Sequence, residues 1–424
     1  MKIALIAEHL GPVGRLGTHA YPGDQAAAGL LPLARALAAR DHQVTVYSRQ
    51  DSDARPGRVA VGHGVTVEYI PAGPQATLPA DMLLPHIPAF ARHLAERWRR
   101  SAPDVAHAHG WTSGMAALGG ARDLDIPVVQ TFHSLAGGLP GPGDHGPGDH
   151  GPGNHGPGNH GPCPPGTVMR ARLEAAVART ARAVLVGTSD ERTALARLGV
   201  PHTSVRVVPP GVDVATFQPA GPAAARNGRP RLLMVAPLTL APPAGRPGLA
   251  VAARALADVP GVELLLVGGP PRGQLGHDPG YRAVAKLARQ LGVHDRFICT
   301  GQVSQADMPA LMRSADALVS LTTSEPFTAV PLEAMACGLP VIASDAGTSR
   351  DTVIDGVTGY LVPPAGPAPL TARIRQLLAS PLLGEGLGIA AASRAQARYS
   401  WERVSQETLA VYEALPRWPL QAAA

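Results

Sequence analysis

Two glutamates, Glu325 and Glu333, stand eight positions apart in the run SEPFTAVPLEAMACGLPVIA, residues 324–343. The first ends a loop after a strand-like stretch. The second falls one or two turns into a helix-like stretch. A helix starting there would turn the backbone N–H groups of Phe327, Thr328 and Ala329 outward, an arrangement that binds a diphosphate. A carboxylate accepts hydrogen bonds in pairs, so each glutamate suits the vicinal hydroxyls of a sugar or ribose. The same pair also fits a capped helix with two surface charges, and the spacing alone leaves both readings open. In the first half of the chain, His107, His109 and His133 lie at or beside the ends of short apolar runs. His107 reads as core-facing, and His109 as the better ligand candidate.

Other chemistries find less support. Asp51-Ser52-Asp53 has the D-x-D spacing of a metal site, but its polar, arginine-containing surroundings read as a solvated turn. Cys163, Cys299 and Cys337 are far apart and odd in number, against a disulfide framework or zinc site and in keeping with a cytoplasmic protein. Gly11-Pro12-Val13-Gly14 runs into Arg-Leu-Gly rather than a helix start, so no dinucleotide-binding G-x-G-x-x-G follows the first strand. The net charge is +5, yet lysine occurs only at Lys2 and Lys286. The basic residues are scattered, apart from Arg97, Arg99 and Arg100 around Trp98. No nucleic-acid motif accompanies them. Coding bias accounts for this excess most simply; peripheral association with an anionic membrane is the sharper reading.

The elements that must position these residues alternate. Apolar runs at Lys2–Ala7, Val44–Tyr47, Val65–Ile70, Val105–His107, Val128–Phe132, Ala183–Val186 and Val205–Val208 read as strands. Helical spacing falls between them, as at Ile87–Arg100 and Val168–Arg179. After a Pro/Gly/Ala/Arg stretch at Phe217–Pro230 the pattern restarts. Leu232–Ala236, Glu263–Val267, Phe297–Thr300, Ala317–Ser320 and Val341–Ser344 are the second set of strands. Continuous apolar strands separated by amphipathic helices predict α/β architecture, with parallel sheets covered on both faces. Ligands in such sheets bind beyond the carboxyl ends of the strands. Residues 141–160 break the pattern with the pentads GPGDH, GPGDH, GPGNH and GPGNH, which can build no core and read as a low-complexity surface loop. The start, MKIALIAEHLG, breaks its apolar run at Glu8 and reads as a buried strand rather than a signal peptide.

The E-x7-E run followed by MACGLPVIAS resembles the donor-site signature of family 4 retaining glycosyltransferases. The likeness continues through MKIALIAEH, DVAHAHGWTSG, PVVQTFHSL, TSDE, VVPPGVD, DTVIDGVTGYLVPP and YSWERV, over nearly the whole chain. It implies the GT-B fold, two Rossmann-like domains facing across a cleft. Residues 1–215 would form the acceptor domain, with 141–162 as its low-complexity loop. Residues 216–230 would be a linker and 231–398 the donor domain; 399–424 would be a final helix crossing back, then a tail. The resemblance implies transfer of a hexosyl group from a nucleotide-diphosphate sugar, commonly a UDP-sugar, to an acceptor hydroxyl, with no cofactor or metal. Glu325 would contact the sugar, Glu333 the ribose, and Val303 the base. Phe327, Thr328, Ala329, Val330 and Gly23 would approach sugar and phosphates. His133 would sit beside the reacting sugar, and His109, Ser134 and Arg170 beside the acceptor.

The chain departs from this pattern where phosphate is held. Val235-Ala236-Pro237-Leu238 stands where the family has Gly-Arg-Leu with a lysine a few residues on, and Arg246 is the one cation of that segment. Gly23-Asp24 replaces Gly-Gly, Thr328 replaces a glycine, and His109-Gly110-Trp111 replaces histidine-aromatic-Trp. A cation at the leaving group is worth about 3 kcal/mol at the transition state. Two readings therefore follow: an active transferase using Arg246, and a degenerate paralogue that binds nucleotide sugar with little turnover.

Overall fold

A computed structural model describes residues 1–10, 25–53, 55–133, 135, 165–236, 238, 247–321, 329–363 and 366–415. Gly23, Ser134, the 141–162 repeat, Pro237, Arg246, Glu325, Phe327 and Thr328 lie outside the described residues. The chain forms two compact units. The first comprises residues 1–10, 34–208 and 407–424; the second comprises 11–33 and 209–406.

The first unit holds eight strands: β1 (Lys2–Ala7), β2 (Gln43–Arg49), β3 (Arg58–Ala60), β4 (Val65–Ile70), β5 (Val105–His109), β6 (Val128–Thr131), β7 (Ala183–Val186) and β8 (Val205–Val207). Their order is β3-β4-β2-β1-β5-β6-β7-β8. All neighbours are parallel except β3 and β4, a short antiparallel edge that the apolar pattern did not announce. Helices α1 (Gln25–Ala38), α2 (Ile87–Arg100), α3 (Trp111–Ala121), α4 (Pro165–Thr180) and α5 (Ser189–Arg197) connect the strands. Side chains alternate across a strand. Ala4, Ile6, Ala106 and Ala108 pack with Phe90, Leu94 and Trp98 of α2 and with Ala116 and Ala117 of α3. Thr188 opens α5 with a capping box: its hydroxyl accepts from Glu191 N–H while the Glu191 carboxylate accepts from Thr188 N–H.

The second unit holds six parallel strands: β9 (Arg231–Val235), β10 (Glu263–Val267), β11 (Phe297–Gly301), β12 (Ala317–Ser320), β13 (Val341–Ser344) and β14 (Gly359–Val362). Their order is β11-β10-β9-β12-β13-β14. The helices are α6 (Pro247–Ala257), α7 (Pro279–Gln290), α8 (Met308–Arg313), α9 (Val330–Ala336), α10 (Ser349–Thr352), α11 (Ala368–Ala379) and α12 (Pro381–Tyr399); α13 (Trp401–Ala414) follows, its residues from Glu407 onward belonging to the first unit. Leu232 and Met234 face a core shared with α6 and α11, whereas Leu233 faces one shared with α8, α9 and α12. Both faces are covered, which is why the strands read as unbroken apolar runs.

The segment read as a linker, 216–230, falls within this second unit. Phe217 is fully buried. The Arg313 guanidinium donates to the carbonyls of Gln218 and Pro222. Arg226 pairs with Asp316 at 2.7 Å. The buried Arg231–Glu263 pair, 2.6 Å apart, anchors the amino ends of β9 and β10, with Asn227 donating to the same carboxylate.

Helix α9 is short and closes with a left-handed glycine. Gly338 has φ 74°, its N–H reaches Met335 O, and Leu339 N–H reaches Ala334 O at 2.9 Å. These two bonds satisfy carbonyls the helix leaves open. Helix α12 crosses so closely that a Cβ on Gly388 would lie 2.1 Å from the Gly338 carbonyl oxygen. Gly388→Ala should therefore destabilise the protein by roughly 1–3 kcal/mol through overpacking. Gly384→Ala on the same helix meets nothing within 4 Å. It should be neutral to stabilising by up to about 1 kcal/mol. Denaturant unfolding checks both; equal effects would contradict this packing.

Candidate active site

A parallel sheet leaves a crevice where neighbouring strands send their connections in opposite directions. In the first unit β1 leads outward to β2 and β5 outward to β6, so the switch lies between β1 and β5. The register sets Ala7 beside His109, and His109 beside Thr131. Glu8, His9, His109, Gly110 and His133 thus gather beyond the carboxyl ends of β1, β5 and β6.

Glu8 is held by the start of α3. Its N–H donates to Ser113 Oγ at 2.9 Å, and the Ser113 hydroxyl donates back to its carboxylate. Gly110 makes this approach feasible. It has φ 88°, and a Cβ there would lie 3.2 Å from Glu8 Oε2. The His-Gly-Trp departure is therefore a backbone feature, since few other residues tolerate this conformation. His9 Nε2 lies 3.0 Å from Leu78 O. Arg49, buried at the end of β2, donates to the carbonyls of Pro74 and Ala76 in that same loop. Glu8 and His9 were missed as site residues. A charge closing an unbroken apolar strand was the signal for Glu8.

The three histidines form one stack. His107, read as core-facing, and His109, read as the ligand candidate, are two apart on β5 and share a face; both are buried, at 1% and 5% exposure. Their ring centroids are 4.3 Å apart. His109 stacks on His133 at 5.3 Å, with Nδ1 and Nε2 of the two rings 3.2 Å apart. Burial lowers all three pKa values, to about 3 for His107 and about 4 for His133, with mutual repulsion adding to the effect on His107 and His109. The stack is neutral at physiological pH and offers hydrogen-bonding groups without charge.

Arg170, on α4, donates from Nε to Glu174 at 2.7 Å, and Glu174 is fully buried. Asp51 does not lie in a solvated turn as expected; its side chain is 7% exposed, and Arg55 donates to it from two nitrogens. Among the described residues no group of three or more His, Cys, Asp or Glu could hold a metal ion. No helix among them is long and apolar enough to cross a membrane.

In the second unit the switch lies between β9 and β12. Gly248 near the start of α6 meets the end of β12 so closely that a Cβ would lie 2.2 Å from Leu321 O. Helix α9 follows β12, with exposed Ala329 at its N-cap and half-buried Val330 as its first residue. Glu333 is only 5% exposed. Burial pushes its carboxyl up to about 8. It is therefore no surface charge on a capped helix. Val303 follows a turn in which the Gly301 carbonyl, at a residue with φ 76°, accepts from Gly268 N–H while Gln302 N–H donates to Pro270 O.

Two successive Rossmann-like sheets, each gathering polar residues at a switch point, constitute the GT-B fold of glycosyltransferases. The family model for Glycosyltransferase Family 4 matches residues 27–216, and that for Glycosyl transferases group 1 matches 226–394. The chain is 33% identical to the D-inositol 3-phosphate glycosyltransferase of Xylanimonas cellulosilytica, over 97% of this chain and 96% of that one. It is 31% identical to the enzyme of that name from Kribbella flavida, over 97% and 95%. Among solved structures, sucrose-phosphate synthase from Thermosynechococcus elongatus superposes with TM-score 0.78 at 25% identity, covering 98% of this chain and 99% of that one. Anabaena Alr3699/HepE in complex with UDP and glucose gives TM-score 0.68 at 20% identity, covering 98% and 100%. The chain belongs to glycosyltransferase family 4 and is a glycosyltransferase of GT-B fold.

A carboxyl raised by burial stays protonated in the folded chain while the unfolded chain ionises. Stability contributed by neutral Glu333 is thus full below about pH 4.5 and is lost as pH rises toward 8. Glu333→Gln should remove this loss, with a slope difference from wild type of at most about 1.4 kcal/mol per pH unit across that window. Denaturant midpoints between pH 5 and 9 measure it; parallel curves would contradict a carboxyl raised by burial.

Proposed function

We propose that this enzyme transfers a hexosyl group, with retention, from a UDP-sugar to an acceptor hydroxyl. The observation that carries the reading is the buried Glu333 carboxyl on the helix that follows β12 at the β9/β12 switch, a group able to accept from both hydroxyls of a diol. The relatives named for inositol phosphate glycosylation and the UDP-bound structural neighbour support the substrate class. A phosphorylated inositol is the acceptor those relatives suggest.

In this mechanism Glu333 holds the ribose and Glu325 the sugar hydroxyls. Phe327, Thr328, Ala329, Val330 and Gly23 line the sugar and phosphates, Val303 the base, and Arg246 the diphosphate. His109, Ser134 and Arg170 receive the acceptor, with His133 beside the reacting carbon. The acceptor oxygen attacks the anomeric carbon on the face the diphosphate leaves. The carbon–oxygen bond to phosphate breaks, and the acceptor proton passes to a leaving phosphate oxygen. The protein's part is positioning and charge stabilisation. Neutral imidazoles suit this role, because a second cation is not needed at a hydroxyl.

Incubation with UDP-glucose, UDP-N-acetylglucosamine, GDP-mannose and ADP-glucose should release nucleoside diphosphate most rapidly from a UDP-sugar. Glu325→Gln should lower kcat/KM at least about 100-fold. Proton NMR of the product should show the donor's anomeric configuration. Binding without turnover of any donor would select the degenerate paralogue instead. Hydroxyl donors also favour ionised Glu333, so UDP binding at pH 7 should release a proton, seen as a buffer-dependent calorimetric enthalpy. A buffer-independent enthalpy would remove Glu333 from the nucleotide site.

A further inference from the structure

The first unit contains a hydrogen-bonded chain that the transfer reaction as described leaves unused. Residues 407–424 of the chain belong to this unit, and α13 carries Tyr412 into it. Tyr412 is 2% exposed, and its hydroxyl lies 2.6 Å from His107 Nδ1. The other ring nitrogen, Nε2, lies 2.8 Å from Thr131 Oγ1. The Tyr412 and His107 rings meet edge to face with centroids 5.7 Å apart. The helix end is tied down separately, by Arg182 donating to Leu415 O at 3.1 Å.

Proton accounting fixes the tautomer. A neutral imidazole has one donor and one acceptor nitrogen. If His107 donated from Nδ1, the buried Tyr412 hydroxyl would hold a proton with no acceptor among the described residues, a loss of about 1–3 kcal/mol. Thr131 is half-buried, so its own hydroxyl proton has access to water. The consistent arrangement is therefore Tyr412 O–H donating to Nδ1, and Nε2–H donating to Thr131. Held at both nitrogens, the His107 ring is a fixed wall for His109, which in turn meets His133. His109 Nε2 is buried and has no hydrogen-bond partner among the described residues. That atom is a buried one of the stack left over for a ligand.

The geometry points to Tyr412 as a positioning residue: through the Nε2–H tautomer of His107 it sets the ring placement of His109 and His133 at the β5/β6 strand ends. Tyr412 touches no substrate. Its catalytic effect rests on the transferase reading above, whereas the tautomer does not.

The test uses the full chain labelled with 15N-histidine, together with UDP-glucose turnover. In wild type, His107 should show the Nε2–H tautomer. Tyr412→Phe should lose that single tautomer and shift the His109 and His133 ring signals. It should also lower kcat roughly tenfold while the KM for UDP-glucose changes less than twofold. Arg182→Gln loosens the same helix without touching the stack; it should lower thermal stability yet leave the three ring signals and kcat in place. An Nδ1–H tautomer in wild type, or unshifted His109 and His133 signals in Tyr412→Phe, would overturn the proposal. So would equal losses of kcat in the two variants, which would reduce Tyr412 to helix anchoring. Ring signals as expected with no turnover by wild type on any donor would instead strike the transferase reading and leave the tautomer lock standing.

Discussion

A parallel strand cannot hand its chain to a neighbour on the left while the adjacent strand hands its own to the right without leaving a gap beyond the two carboxyl ends. Both sheets contain such a point, β1/β5 in one and β9/β12 in the other. Backbone must come close there, and glycine permits it. Gly110 admits the Glu8 carboxylate, and Gly248 admits the end of β12. The polar residues of each unit then converge because β1, β5 and β6 end at the same level of the sheet, as does β12 ahead of α9.

What distinguishes these residues is desolvation. Elsewhere the chain pairs its buried charges: Arg231 with Glu263, Arg55 with Asp51, Arg170 with Glu174. At the strand ends burial raises the Glu333 carboxyl and is the main cause that lowers the histidine stack. Such groups meet a ligand as neutral hydrogen-bonding surface, a good match to hydroxyls. The stack in turn depends on an element from the far end of the sequence, since Tyr412 lies 305 positions from His107.

The strands of both sheets were legible because they are buried on two faces and carry no polar interruption. The misses have local causes. β3 is three residues long, with Arg58 and Ala60 exposed, so it has no apolar signature. β14 is four residues long and starts at a glycine pressed against the Val341 carbonyl. Glu333 was legible as a chemical residue from its motif, but its burial was not, because the spacing of a motif does not show what packs around a helix position. The shared face of His107 and His109 follows from strand period alone. Their tie to Tyr412 does not, since nothing local in the sequence couples residues so distant. The composition of 216–230 gave no sign of its contacts, since they come from far along the chain: Arg313 and Asp316 tie it to the second unit.

The most direct measurement is an experimental structure of the protein crystallised with UDP. The account predicts ribose hydroxyls within hydrogen-bond distance of the Glu333 carboxylate, beside the β9/β12 strand ends. Density for the nucleotide elsewhere, with Glu333 still enclosed and uncontacted, would contradict it.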